Sequence, residues 1–124
     1  MSGRLNDATL AQLLRYIEEH LHERLTIQVL AAQAHLSPFH FSRMFKALTG
    51  LTPHAYVTKL RVERAKSLLS GGDQALPDVA RAVGFRTQAH FTGVFRDRTG
   101  ATPKRYRDSG SGDSATRGVA SSDD

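Results

Sequence analysis

Apolar residues recur along this chain at helical spacing, and glycines and prolines cut the pattern into segments. Leu10, Leu14, Ile17 and Leu21 share one face of a helix predicted over residues 8–21. Further helices are predicted over 27–35, 38–48, 53–69, 77–83, 88–98 and 103–107, between marks at Pro38, Gly50, Pro53, Gly71, Gly72, Pro77, Gly84, Gly100 and Pro103. No stretch sustains the alternation of a half-buried strand. The fold class is therefore all-α, with about seven helices. The fourth is the longest and offers Tyr56, Leu60, Ala65, Leu68 and Leu69 for packing. At 1.5 Å per residue it spans roughly 25 Å.

The pattern repeats. An offset of 50 maps Phe41 onto Phe91, Phe45 onto Phe95, Gly50 onto Gly100, Thr52-Pro53 onto Thr102-Pro103 and Tyr56 onto Tyr106. Upstream the offset is 49, taking Ile27 to Leu76, Leu30 to Val79, Ala31 to Ala80, Ala34 to Val83 and Leu36 to Phe85. One residue is thus inserted near Phe85-Arg86-Thr87. Inside a helix it would rotate the apolar face by about 100°, so the insertion must lie in a turn. Each repeat is helix, turn, helix.

Local chemistry supports these boundaries. Ser37 with Pro38, Thr52 with Pro53 and Thr102 with Pro103 each pair an N-cap hydroxyl with a proline at the first helical position. Leu36 and Phe41, and Leu51 and Tyr56, have the spacing of a hydrophobic staple. Gly50 and Gly100 stand where a helix needs a left-handed terminator.

A short helix, a tight turn and a second helix with a polar, basic outer face make a helix-turn-helix, whose second helix fits a DNA major groove. In the helix from Pro38, burying Phe41, Met44, Phe45 and Leu48 leaves Phe39, Ser42, Arg43 and Lys46 outward. In the helix from Gln88, burying Phe91, Val94 and Phe95 leaves Ala89, Thr92, Gly93 and Arg96 outward. Arg43 is the principal candidate for base reading, because a guanidinium can bond guanine O6 and N7 together. Ser42 and Thr92 discriminate weakly, and Phe39 and Ala89 can pack on thymine methyl groups. Lys46 and Arg96 lie nearer the helix C-termini and are expected on phosphate, which positions without specifying. An outward cation on one helix is ordinarily a solvated charge. Its recurrence at equivalent places in two repeats favours a binding role.

Charge sharpens that reading only when divided by position. The 124 residues carry 17 Lys and Arg against 12 Asp and Glu, a net +5. Residues 36–66 hold +5 and 81–107 hold +6, separated by a connector of −2 and flanked by −1 in 1–35 and −3 in 108–124. Both basic blocks contain a candidate recognition helix. Segment 108–124, rich in Ser, Gly and Asp, is expected to be a disordered acidic tail. Residues 1–7 are expected to form a short arm with no apolar leader, which points to the cytoplasm.

The absence of cysteine excludes disulfides, thiolate metal sites and a cysteine nucleophile. Six histidines (20, 22, 35, 40, 54 and 90) form no metal-binding pattern; His40 and His90 flank the outer faces and suit DNA backbone contact. No nucleophile elbow, phosphate-binding glycine loop or carboxylate pair is present. The chain is expected to be no enzyme and to need no metal or cofactor.

The run Ser37-Pro38-Phe39-His40-Phe41-Ser42-Arg43-Met44-Phe45-Lys46, then Thr49-Gly50, Thr52-Pro53, Tyr56, Arg61, Ala65 and Leu68-Leu69, resembles the AraC/XylS transcription regulators. Val79-Ala80, Val83-Gly84-Phe85, His90-Phe91, Phe95, Gly100, Thr102-Pro103 and Tyr106-Arg107 continue the resemblance, which covers about residues 8–107. It implies a bacterial, sequence-specific DNA-binding regulator, an activator, with two homeodomain-like helix-turn-helix subdomains (about 27–48 and 77–98) on a linker helix (about 53–69). Both recognition helices would read successive major grooves of double-stranded DNA, at the bacterial nucleoid, from a monomer. The derived linker length suits grooves about 34 Å apart. Carried over by position, the base contacts fall on Phe39, Ser42, Arg43, Gln88, Ala89, Thr92 and Gly93.

The departure is Gly93, where family members often carry a longer polar or basic residue. The first recognition helix should therefore discriminate, while the second docks through Arg86, Arg96, Arg98, Lys104, Arg105 and Arg107; Ser37, His40, Lys46 and His90 complete the expected phosphate contacts. Only seven residues precede the first helix, leaving no room for a small-molecule sensor of the usual kind. The chain is then a stand-alone regulator or the DNA-binding domain of a larger ligand-responsive one. The rival reading is a protein-interaction module whose basic faces meet RNA polymerase, a partner that activators of this family also touch.

Overall fold

The computed structural model describes residues 5–109, and all its regular structure there is helical. Seven helices follow in order: α1 (Asp7–Glu19), α2 (Ile27–Gln33), α3 (Pro38–Thr49), α4 (Pro53–Gly71), α5 (Leu76–Ala82), α6 (Gln88–Thr99) and α7 (Pro103–Asp108). The chain divides into two compact units, the first ending at Leu60 and the second beginning at Arg61, so the boundary falls within α4. Among the described residues no helix is long and apolar enough to cross a membrane.

In the first unit α1 starts because the Asn6 side chain accepts the Thr9 N–H at 2.8 Å. Residues 5–7 are therefore part of the fold rather than of a free arm: Leu5 is buried, Asn6 is the cap and Asp7 is helical. The helix ends two residues before the predicted Leu21. His20 leaves helical geometry, its Nδ1 lying 2.7 Å from the Tyr16 carbonyl and its ring stacked on Tyr16 at 4.0 Å. Leu21 is buried nonetheless. Thr26 caps α2 through the Val29 N–H at 3.1 Å, and Leu30 and Ala31 are buried.

Ser37 caps α3 through the His40 N–H at 3.2 Å, with Pro38 opening the helix. Its inner side is aromatic: Phe41 and Phe45 are fully buried, their centroids 5.5 Å apart, and Phe45 meets Tyr56 of α4 edge-on at 5.5 Å. Leu48 departs from expectation. The wheel places it with Phe41, yet it is 48% exposed. The last turn of α3 is instead anchored through Phe45, on Tyr56 of α4, and Leu48 is left facing outward.

The second unit repeats the construction. Thr87 caps α6 through the His90 N–H at 3.0 Å, and Thr102 caps α7 through the Arg105 N–H at 3.2 Å. Phe85, Phe91, Phe95 and Tyr106 form a chain of aromatic contacts at 5.4, 5.7 and 5.4 Å. Val79, Ala80 and Val83 fill the space beside them, and α4 supplies Val62, Ala65 and Leu69.

The glycine terminators behave as predicted, with φ of +83° at Gly50 and +87° at Gly100. A threonine before each locks the turn. The Thr49 hydroxyl donates to the Phe45 carbonyl at 2.9 Å and accepts the Leu51 N–H at 3.2 Å; Thr99 does the same with Phe95 and Ala101 at 2.8 and 3.2 Å. Helix α7 reaches Asp108, one residue into the segment expected as a tail, and there the Asp108 carboxylate accepts from Lys104 one turn back at 2.7 Å. Beyond Ser109 the expected tail lies outside the described residues.

Candidate nucleic-acid interface

The two helix-turn-helix corners have nearly the same backbone. In the first, Leu36 N–H reaches back to the Ala31 carbonyl at 3.0 Å and His35 N–H to Ala32 at 3.1 Å. In the second, Phe85 N–H reaches Ala80 at 2.9 Å and Gly84 N–H reaches Arg81 at 3.0 Å. From there Ser37 caps α3 two residues after His35, whereas Thr87 caps α6 three residues after Gly84. The additional residue lies in the turn, where the change of offset requires it.

These corners set which side of each second helix faces solvent. On α3, burial of Phe41 and Phe45 leaves Phe39, Arg43 and Lys46 exposed and Ser42 half-buried. On α6, burial of Phe91 and Phe95 leaves Gln88, Ala89 and Arg96 exposed, with Thr92 and Gly93 half-buried. Val94, expected inside, is only half-buried.

On α3 the groups converge. The Arg43 guanidinium carbon lies 5.5 Å from the centroid of the Phe39 ring, within the range of a cation–π contact. Beside it runs an open groove of about 490 Å³ lined by Ser42, Arg43, Lys46, Ala47 and Thr52. Two cations and two hydroxyls thus border one concave surface. The part played by Ala47 and Thr52 was not visible in the sequence, because Thr52 comes from the cap of the next helix. On α6 the corresponding surface is bare: a Cβ added at Gly93 would meet nothing within 4 Å.

The cations expected on phosphate divide into groups. Lys46, Arg86, Arg96, Arg98 and Arg105 are exposed and make no ion pair among the described residues. Lys104 pairs with Asp108, but both side chains are largely exposed, and such a pair contributes little against a competing phosphate. Ser37, His40 and His90 are exposed at the two helix starts, where Ser37 already spends one lone pair on its cap. Arg107 differs from the rest. Its Nε and Nη2 are buried without a hydrogen-bond partner, so this edge of the fork is not presented at the surface. In α4, burial lowers the pKa of Arg61 from the ordinary arginine value by desolvation.

Among the described residues no group of three or more His, Cys, Asp or Glu could hold a metal ion.

Comparison with known proteins agrees with this geometry. The model of a helix-turn-helix domain family matches residues 30–109. The DNA-binding domain of AdpA, solved in complex with a target DNA, superposes with a TM-score of 0.79 at 37% identity, covering 82% of this chain and 91% of that one. A transcriptional regulator of the AraC-type from Chromobacterium violaceum superposes with a TM-score of 0.77 at 25% identity, covering 86% and 95%.

The chain belongs to the AraC/XylS family.

Among curated relatives, the MmsAB operon regulatory protein of Pseudomonas aeruginosa is 41% identical over 92 residues, 74% of this chain and 30% of that protein. The AraC/XylS domain described here spans between 30% and 45% of the length of the first curated relatives it matches. Its double helix-turn-helix accounts for that shared part.

Proposed function

We propose that this chain is a sequence-specific, DNA-binding transcription regulator that inserts α3 and α6 into successive major grooves of one duplex, acting as an activator. The observation that carries the reading is the duplication: two helix-turn-helix corners of matching backbone, each with an exposed second helix beside unpaired cations. A solvated charge on one helix would need no such registration.

The two helices take different roles. Helix α3 supplies discrimination through Arg43 on guanine, with Ser42 and Phe39 beside it, and Lys46 on phosphate. Helix α6 offers Gln88, Ala89, Thr92 and Gly93 to the bases, with Ala89 and Gly93 standing where α3 has Phe39 and Arg43, so that reading there falls to Gln88 and Thr92 alone. It docks mainly through Arg86, Arg96, Arg98, Lys104 and Arg105, with His40, His90 and Ser37 on phosphates at the helix starts. Arg107, with two of its nitrogens buried, is the weakest member of the phosphate set.

Because both recognition helices come from one chain, the proposed complex is a monomer on an asymmetric site. Its place of action is the bacterial nucleoid in the cytoplasm, with RNA polymerase as second partner of an activator. No catalytic role is assigned, since the sequence offers neither a nucleophile motif nor a carboxylate pair.

A salt titration of duplex affinity tests the reading. Five or more phosphate contacts give a log–log slope near −0.9 for each contact, roughly −4.5 or steeper. A flat response favours the rival reading, in which the basic faces meet protein.

A further inference from the structure

The pairing of Phe39 with Arg43 has no counterpart in the second repeat. The offset of 50 places Ala89 and Gly93 there, so ring and guanidinium are both missing, while the buried phenylalanines, caps and glycine terminators around them are kept. Phe39 is 73% exposed, a large apolar side chain held in water on the outer face of α3. It contributes nothing to either buried core. Its recorded partner is Arg43, one helical turn on, with the guanidinium carbon 5.5 Å from the ring centroid.

This geometry has two consequences at a duplex. The ring restrains the guanidinium before any encounter, so less side-chain freedom is lost when the fork bonds a guanine. Stacked base pairs are about 3.4 Å apart along each strand, less than the separation of ring and guanidinium. With the guanidinium in the plane of a guanine, the ring therefore reaches the neighbouring base pair. An exposed hydrocarbon ring there has one favourable apolar partner in the major groove, the C5-methyl group of a pyrimidine; adenine N6 and N7 or cytosine N4 would be desolvated with no bond in return.

We propose that Phe39 and Arg43 act as one recognition unit, selective for a guanine adjacent to a 5-methylpyrimidine, and that binding therefore responds to the methyl group of thymine or 5-methylcytosine at that step. The inference rests on the DNA-binding reading above and adds a ligand feature to it. It places the guanine-coupled methyl dependence in the half of the site read by α3, where ring and guanidinium are both present.

The test uses the full chain and a duplex selected from a randomised library, with the Arg43-dependent guanine located by comparing wild type and Arg43→Ala. The pyrimidine beside that guanine is then changed between thymine and uracil, and between cytosine and 5-methylcytosine. Removing one buried methyl should weaken binding about fourfold in each pair. Phe39→Ala, a change at an exposed position, should make the members of each pair equivalent and reduce the preference for guanine. Lys46→Ala should lower all affinities while keeping the methyl ratio. Equal binding of methylated and unmethylated duplexes by wild type overturns the proposal, as does a selected site with no 5-methylpyrimidine beside the guanine, or a methyl ratio that survives Phe39→Ala. Specific, Arg43-dependent binding without methyl response defeats this inference alone, whereas absence of sequence-specific duplex binding defeats the function on which it rests.

Discussion

His35 and Gly84 hold the same place in the two helix-turn-helix corners, 49 residues apart, and both have left-handed backbone, with φ of +61° and +98°. A residue with a Cβ is strained there and glycine is not. The first corner thus carries a strain that the second avoids.

His35→Gly should therefore stabilise the first unit. Relief of the left-handed strain, about 1–2 kcal/mol, exceeds the added backbone entropy of glycine, about 0.5–1 kcal/mol. Gly84→Ala should destabilise the second unit by about 1–2 kcal/mol. Thermal and urea unfolding of the two variants check the opposite signs.

Gly93 lies within α6 with open space where a Cβ would go. Gly93→Ala should raise stability by about 1 kcal/mol through helix propensity alone. Urea unfolding measures it directly. A loss of stability would mean that the site is more crowded than its geometry allows.

Thr49 and Thr99 each tie the end of a recognition helix to the residue just before the cap of the next. Replacing either by valine keeps the shape but removes the hydroxyl, leaving the Leu51 or Ala101 N–H without its partner. Each change should cost about 1 kcal/mol, with the double variant near the sum because the two locks are in separate units. Denaturation of the single and double variants tests both statements.

Arg43→Ala should cost about 1–3 kcal/mol at a specific site and relax preference at one position. Lys46→Ala should weaken all duplexes alike and make the salt slope shallower by about 0.9. Fluorescence anisotropy at several salt concentrations separates the two. Unchanged specific binding by Arg43→Ala would show that the assigned reading face is wrong.

Much of the fold was legible because its signals are local. The pairs Ser37-Pro38, Thr52-Pro53 and Thr102-Pro103 fix helix starts by side-chain chemistry that needs no tertiary partner, and Gly50 and Gly100 fix ends in the same way. The aromatic pairs Phe41 with Phe45 and Phe91 with Phe95 declared the inner faces by spacing alone. What stayed hidden depends on neighbours. Leu48 has the phase of a buried residue but is left exposed, and Val94 is covered only in part. The left-handed His35 was missed although a signal existed: the offset of 49 aligns it with Gly84, a residue type that marks positive φ. At the interface, periodicity identified the outer residues but could not show that Phe39 supports Arg43, that Thr52 completes their groove, or that Arg107 turns one edge inward.

Affinity across every single-base substitution of a selected site tests the division of labour between α3 and α6. Steep penalties are expected in the half contacted by α3, including its guanine, and shallow ones in the half contacted by α6, where Gly93 and Ala89 offer little to read with. Equal penalties in both halves, or a site whose strongest positions persist in Arg43→Ala, would contradict it.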